Sequence, residues 1–255
     1  MEENPYNVLA SIYDAFQNRA DTERFFKVIL DRVMQYVPNG GLPPRPVVCD
    51  LGCGTGDMLL LLAQAQYDVI GVDQSTSMLN IAKNKLEEHG YQGIFVCQDI
   101  TQFELHGQVD VFLCLTDTVN HILDQHKIEE LFTRVSRYLK PGGIFIFDAL
   151  TLDYMTKTLG NKTFCFNEDQ YILVWENQFD TEKMCSRSDL LLFQEKKEGL
   201  YRRNNCIVRE QYYSEEYIYQ ILSLAQMKCL DKIEYNDWFE HEKCVVRQIY
   251  VTQRT

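Results

Sequence analysis

The apolar positions of the chain fall into two regimes separated by a stretch of Pro and Gly. Before it, Phe25, Phe26, Ile29, Leu30, Val33 and Val37 recur at three- and four-residue steps and predict one apolar helical face. Pro38-Asn39-Gly40-Gly41-Leu42-Pro43-Pro44-Arg45-Pro46 then forbids regular structure. Beyond it, short apolar runs alternate with amphipathic segments: a strand over 47–51, a helix over 57–66, a strand over 68–72, a helix over 75–88, and strands over 93–97, 109–115 and 143–147. A helix from about Asp124 precedes the last of these, with Ile128, Leu131, Phe132, Val135 and Leu139 on one face and Pro141-Gly142-Gly143 as its stop. Continuous apolar strands joined by helices predict a parallel sheet covered on both faces.

After Asp148 the helical period ends. Tyr171, Leu173, Trp175, Asn177 and Phe179 alternate as a strand face does, and 190–193 and 201–213 read as two more strands around Lys196-Lys197-Glu198-Gly199. Ser214, backed by Glu215 and Glu216, starts a helix carrying Ile218, Ile221, Leu222 and Ala225, because a hydroxyl cap and an acidic first turn suit a helix N-terminus. Two strands, roughly 231–239 and 243–252, close the chain. The expected fold is α/β: a doubly wound, mostly parallel seven-stranded sheet with helices on both faces, plus an antiparallel β insertion after the fifth strand.

Composition narrows the function. At 255 residues, 45% apolar and 24% charged, the chain is a folded protein of one large domain or one domain with a small subdomain. Its 25 Lys and Arg against 37 Asp and Glu leave a net charge of -12, which repels a phosphate backbone and favours small or basic partners over nucleic acid. The local basic cluster Lys196, Lys197, Arg202 and Arg203 reads as a solvated edge that blocks strand pairing. Residues 1–14 lack a basic region followed by an apolar stretch, and no apolar run approaches the ~20 residues that cross a bilayer, so a cytoplasmic protein without a membrane span is expected. Nine scattered Cys without a Cys-x-x-Cys pair read as reduced core thiols. His121 and His126 lack helical metal-pair spacing and His241-Glu242-Lys243-Cys244 is weak alone, so no metal is expected.

The chemistry concentrates in Asp50-Leu51-Gly52-Cys53-Gly54-Thr55-Gly56-Asp57, between an apolar strand and a helix. Glycines there let the backbone approach a ligand at the carboxyl edge of the sheet. A dinucleotide fingerprint needs Gly where Asp57 stands, and a carboxylate at that helix N-terminus opposes a pyrophosphate; no phosphate-loop Gly-Lys-Ser/Thr follows either. Asp73, 23 positions beyond Asp50, closes the second strand, where a carboxylate can accept both hydroxyls of a ribose.

Asp50-x-Gly52-x-Gly54-x-Gly56, Asp73-Gln74-Ser75-x-x-Met78-Leu79, Cys97-Gln98-Asp99-Ile100 and Leu139-Lys140-Pro141-Gly142-Gly143, in that order, resemble the class I S-adenosylmethionine-dependent methyltransferases, small-molecule type. The resemblance implies S-adenosylmethionine as cofactor. It implies that Asp50 bears on the loop and the cofactor's ammonium, Gly52 and Gly54 permit close approach, and Asp73 holds the ribose. It further implies that Gln74 and Met78 lie against sugar and adenine, Asp99 accepts from the adenine amino group, Ile100 covers the ring, and Leu115 and Thr116 flank the cofactor by backbone contact. Read without the resemblance, Asp99 caps a turn before Thr101 and Met78 is helix core.

Tyr13-Asp14 resembles an element that covers the cofactor ahead of such a core. The expected division is therefore a helical cover segment (1–45), a cofactor-binding core (46–150 and 211–255) and an antiparallel insertion (151–210) on the acceptor side. There Tyr154, Phe164, Phe166, Tyr171, Trp175, Phe179, Tyr201, Tyr212 and Tyr213 either roof the acceptor or pack the insertion onto the core. The implied reaction is in-line transfer to a small-molecule acceptor, which alignment and water exclusion can largely drive. His121, after the fourth strand, is the candidate base if the acceptor must lose a proton. RNA methylation and a non-catalytic, cofactor-binding partner protein are the alternatives.

Overall fold

A computed structural model describes residues 5–16, 19–38, 44–236 and 245–255. Three helices lead: α1 (Pro5–Leu9), α2 (Tyr13–Phe16) and α3 (Arg19–Tyr36). The core then alternates β1 (Val47–Leu51), α4 (Asp57–Gln64), β2 (Asp68–Asp73), α5 (Thr76–Glu88), β3 (Ile94–Cys97) and β4 (Val109–Cys114). A 3₁₀ turn (Thr118–His121), α6 (Gln125–Tyr138) and β5 (Leu139–Leu150) complete its parallel part. The main sheet runs β3-β2-β1-β4-β5 in parallel and ends in β11 (Arg247–Arg254), antiparallel to β5, and β10 (Met227–Tyr235), antiparallel to β11.

Alternation along the strands makes two cores. Phe112, Cys114, Phe145 and Phe147 face Ile128, Leu131, Phe132 and Val135 of α6 and Ile218, Ile221 and Leu222 of α7 (Glu215–Leu224). Val111, Leu113, Ile144 and Ile146 face α3, α4 and α5 through Ile29, Leu59, Leu62 and Leu86. Both faces of β4 and β5 are buried, which explains their unbroken apolar runs. The caps follow the sequence: Ser75 accepts from the Met78 N–H, Asp124 from His126 and Ser214 from Tyr217.

Between β5 and α7 stands a second sheet, β6 (Thr163–Glu168), β7 (Tyr171–Asp180), β8 (Cys185–Lys197) and β9 (Leu200–Gln211), antiparallel throughout. Leu9 and Ile12 of the leading segment pack on its Tyr171, Leu173, Leu190 and Leu192. Three features depart from the sequence expectation. The segment Tyr154–Leu159 is a π-helical turn, β6 is an additional strand, and β5 begins at Leu139, so Pro141-Gly142-Gly143 lies inside a strand with a register irregularity opposite Val109–Val111. The centre of the Pro-Gly stretch, 39–43, and the inner ends of the closing strands, with His241 to Cys244, lie outside the described residues.

Gly56 shows why the loop needs its third glycine. Its φ is +81°, and a Cβ there would sit 2.7 Å from the Ala82 Cβ, where α5 crosses the start of α4. Gly56→Ala is expected to lower stability by about 2–5 kcal/mol, summing left-handed strain and overpacking. Urea unfolding checks this, and an unchanged midpoint would contradict the close approach.

Candidate active site

The carboxyl ends of β1, β2 and β4 open into a cavity of about 860 Å³. Its floor is Gly52, Gly54, Asp73, Gln74, Met78, Asp99, Ile100 and Thr116; its cover is Tyr13 with α1. Of the residues nominated from sequence for the cofactor, nine therefore meet in one cavity, and Asp50 and Leu115 stand buried behind it. The carboxylate of Asp73 accepts from the Gly54 N–H (3.0 Å) and the Ser75 N–H (2.8 Å), fixing the glycine loop to the start of α5. Asp99 does cap its turn, accepting from the N–H and hydroxyl of Thr101 at 2.8 Å each, while lining the cavity. Met78 is likewise both helix core and cavity wall.

Asp50 is 4% exposed, and none of the described residues donates a hydrogen bond to its carboxylate. Burial, and then the charge of Asp73, push it up to about 7. An unpaired carboxyl beside a glycine loop suits a ligand ammonium, and the cavity-lining Asp73 suits ribose hydroxyls. Asp57, where a pyrophosphate would need open helix N–H groups, instead meets the Lys85 ammonium at 2.5 Å. The donor set thus fits S-adenosylmethionine better than a dinucleotide.

The cover is tied down by polar contacts invisible in the sequence. Asp14 accepts from Thr55 of the glycine loop (2.5 Å) and from Lys85 (2.8 Å), and Asn7 accepts from Ser75 (2.6 Å). No aromatic ring of the insertion lines the cavity; Tyr171 joins the α1 contact, and Phe164, Trp175, Phe179 and Tyr212 pack around Met155 and Leu159. The acceptor-side wall is instead Asn205, Cys206, Ile207, Val208 and Arg209 of β9, with Pro5, Tyr6 and Val8 of α1 and Ile122, Leu123 and Lys127 opposite. The sequence carried no signal for these, because an edge strand and a five-residue helix reach the site only through tertiary contact.

His121 lines the cavity at that end. Its Nδ1 faces the Arg209 carbonyl at 3.3 Å, which can only accept, so the proton sits on Nδ1. Its Nε2 therefore accepts the Tyr6 hydroxyl at 2.7 Å. Asp117 lies 3.7 Å from the same nitrogen. Thr116 and Asp117 both have positive φ, +53° and +56°, an arrangement that costs about 1–3 kcal/mol per residue. Asp148, fully buried at the end of β5, holds it by accepting from the Asp117 N–H (3.0 Å). Gly52 makes room, since a Cβ there would meet Thr118 Cγ2 at 2.6 Å.

Asp117, His121 and Glu210 bring one potential metal-ligand atom each within 4.8 Å of one another. A positive charge already serves this cluster: Arg247 Nη1 lies 3.1 Å from Asp117 and 2.8 Å from Asp148.

Residues 48–143 match a family model described as a methyltransferase domain. A protein of Geobacillus sp. (strain WCH70), named as a methyltransferase with no stated acceptor, is 26% identical over 226 residues, 89% of this chain and 90% of its own length. A magnesium-protoporphyrin O-methyltransferase of Synechocystis sp. is 33% identical over 134 residues, 51% of this chain and 54% of its own. Among solved structures, an S-adenosylmethionine-dependent methyltransferase from Clostridium acetobutylicum superposes with a TM-score of 0.82 at 29% identity, over 98% of this chain and 99% of that one.

Proposed function

We propose that this chain, a class I S-adenosylmethionine-dependent methyltransferase, methylates a small molecule held between the sheet edge, α1 and β9. The observation that carries the acceptor class is the size of the site: a cavity of about 860 Å³ has to hold the cofactor as well, and its acceptor side is walled by a helix and a strand, which leaves room for a small acceptor. The Synechocystis relative, named for a small-molecule substrate, supports the same reading. On it, 151–210 is the acceptor-side subdomain and 1–45 the cover.

Bound S-adenosylmethionine supplies a sulfonium methyl group, to which the acceptor's lone pair bonds as the C–S bond breaks and its electron pair stays on sulfur. The chain's part is placement. Asp73 accepts from the ribose, Asp50 attracts the ammonium from behind the glycine loop, and Asp99 and Ile100 hold the adenine. Tyr13 over Gly54 excludes water, which matters because the reaction disperses charge. The acidic surface opposes RNA as acceptor, and Lys196, Lys197, Arg202 and Arg203 stand exposed around the far end of the β8–β9 hairpin. Among the described residues no helix is long and apolar enough to cross a membrane.

The test is transfer from methyl-labelled S-adenosylmethionine into a cell lysate split into small-molecule, protein and RNA fractions. Label confined to the small-molecule fraction is expected; label in RNA would overturn the acceptor class. Cofactor binding without label in any fraction would favour a non-catalytic partner protein.

Asp50 adds a pH prediction. Its folded-state pKa is raised, so the empty protein holds a proton there below about pH 7. A cofactor ammonium favours the carboxylate, so binding releases that proton and strengthens as pH rises. Affinity for S-adenosylhomocysteine should increase roughly tenfold between pH 5.5 and 7.5. Calorimetry in two buffers of different ionisation heat counts the proton, and Asp50→Asn should flatten the dependence.

A further inference from the structure

The acceptor end of the cavity is built to receive a positive charge and to discharge a proton. Asp73 and Asp124 line the cavity, and behind His121 stand Asp117, beside the 3₁₀ turn, and Glu210 of β9, each with a carboxyl oxygen within 4.8 Å of a ring nitrogen of His121. Glu210 is 6% exposed and accepts from the Ser186 hydroxyl of β8 at 3.0 Å. Burial first, then the charge of Asp117 and a hydrogen bond with it, hold Glu210 well above the ordinary carboxylate range, so Glu210 keeps its proton. Burial, and then the charges of Tyr13, Asp117, Glu210 and Asp73, likewise keep Tyr6 a phenol. Arg247 of β11 is the cation bound to Asp117 and Asp148; Lys127 and Arg209 also line the cavity, and the Arg209 guanidinium acts on Asp189 and Cys185 of β8.

Resting on the methyltransferase reading, we propose that the acceptor is a primary or secondary amine that arrives as its ammonium ion, and that Tyr6, His121 and the Asp117–Glu210 pair form the relay that takes its proton. Tyr6 lines the cavity and donates to the His121 lone pair, so it can pass a proton inward as it accepts one from the ammonium. The proton leaves nitrogen for the Tyr6 oxygen while the Tyr6 proton moves to Nε2, giving an imidazolium 3.7 Å from Asp117. The freed lone pair bonds to the methyl carbon as the C–S bond breaks, its electron pair remaining on sulfur, and the product leaves as a methylated ammonium. The imidazolium returns its proton to solvent through the mouth of the cavity. A carboxylate or phenolate acceptor would have to approach His121 against the charge of Asp117. Tyr6 and His121 are the groups that touch the acceptor; Asp117 and Glu210 are positioning residues.

The experiment uses the full chain, methyl-labelled S-adenosylmethionine and a bacterial small-molecule extract, before and after acetic anhydride has blocked its amines and alkaline hydroxylamine has freed its hydroxyls. Labelling is expected to fall at least tenfold on blocking. Labelling that survives overturns the amine and leaves the methyltransferase reading standing; absence of label from both extracts, with cofactor bound, overturns that reading and this inference with it. With the unblocked extract, Tyr6→Phe and Glu210→Gln should each slow transfer about 100-fold at pH 7. The loss should shrink towards pH 10, where amines arrive neutral, and a loss equal at both pH values overturns the relay. Without any acceptor, the infrared difference spectrum of wild type minus Glu210→Gln at neutral pH should show one carboxylic-acid band lost; a difference spectrum showing a lost carboxylate band instead contradicts a protonated Glu210.

Discussion

Arg247→Met lowers the free energy of unfolding by about 3–5 kcal/mol at pH 7, the range seen when one partner of a buried pair is removed. The guanidinium donates to Asp148 at 2.8 Å and to Asp117 at 3.1 Å, and lies 5.3 Å over the Phe25 ring of α3. Met preserves most of the apolar length, so the loss measures charge rather than packing. Asp148 is fully buried, and its second oxygen is without a partner. Burial raises its carboxyl to about 6 even though Arg247 pulls the other way, so desolvation wins over attraction.

The sign of the pH dependence follows. An acid whose folded pKa is raised contributes stability that is complete below its unfolded value, near 3.9, and lost as pH rises through about 6. Without the guanidinium that pKa climbs further, so the variant's deficit should be largest at pH 7 and smaller at pH 5. Arg247→Met combined with Asp148→Asn should recover much of it, because a neutral buried pair costs less than an unpaired charge. Urea unfolding at the two pH values checks this; a deficit that does not vary with pH would mean that Arg247 acts by packing alone.

Much of this architecture was legible from periodicity. The strands read as unbroken apolar runs because both of their faces are covered, and the glycine loop stood out because a charged residue closes the strand on either side of it. The same rule, applied to Asp148 at the end of Ile144-Phe145-Ile146-Phe147, would have pointed to the Arg247 network. Its partner lies 99 residues away, however, and no local spacing reveals it. Tyr6 and β9 were hidden for a related reason. Tyr6 meets His121 across 115 residues and Arg209 meets it across 88, and a five-residue helix has too few turns to show a period. The insertion's rings left two readings open because Tyr and Trp serve equally as core and as roof; here they pack, and neighbouring rings, such as Phe164 with Trp175, pair with each other.

Asp73→Ala should weaken S-adenosylhomocysteine binding at least about 100-fold, since a carboxylate accepting two hydroxyls is worth about 1.5–3 kcal/mol per hydrogen bond. The residue has two jobs, and they must be separated. It also accepts from the backbone of Gly54 and Ser75, so its loss loosens the glycine loop. Those N–H groups face an open cavity where water can replace the carboxylate, so the fold should survive with a small drop in melting temperature. Asp73→Asn keeps one acceptor oxygen and should fall between wild type and Ala in affinity. Because NAD would also place a ribose near this carboxylate, the substitution alone does not discriminate cofactors; Asp57 does. Its carboxylate at the start of α4, already joined to Lys85, opposes a pyrophosphate and is indifferent to a sulfonium. Calorimetry should therefore find S-adenosylhomocysteine bound by wild type and lost in Asp73→Ala, with NAD bound by neither. Equal affinity of wild type and Ala would remove Asp73 from the cofactor site, and NAD binding would reassign the loop.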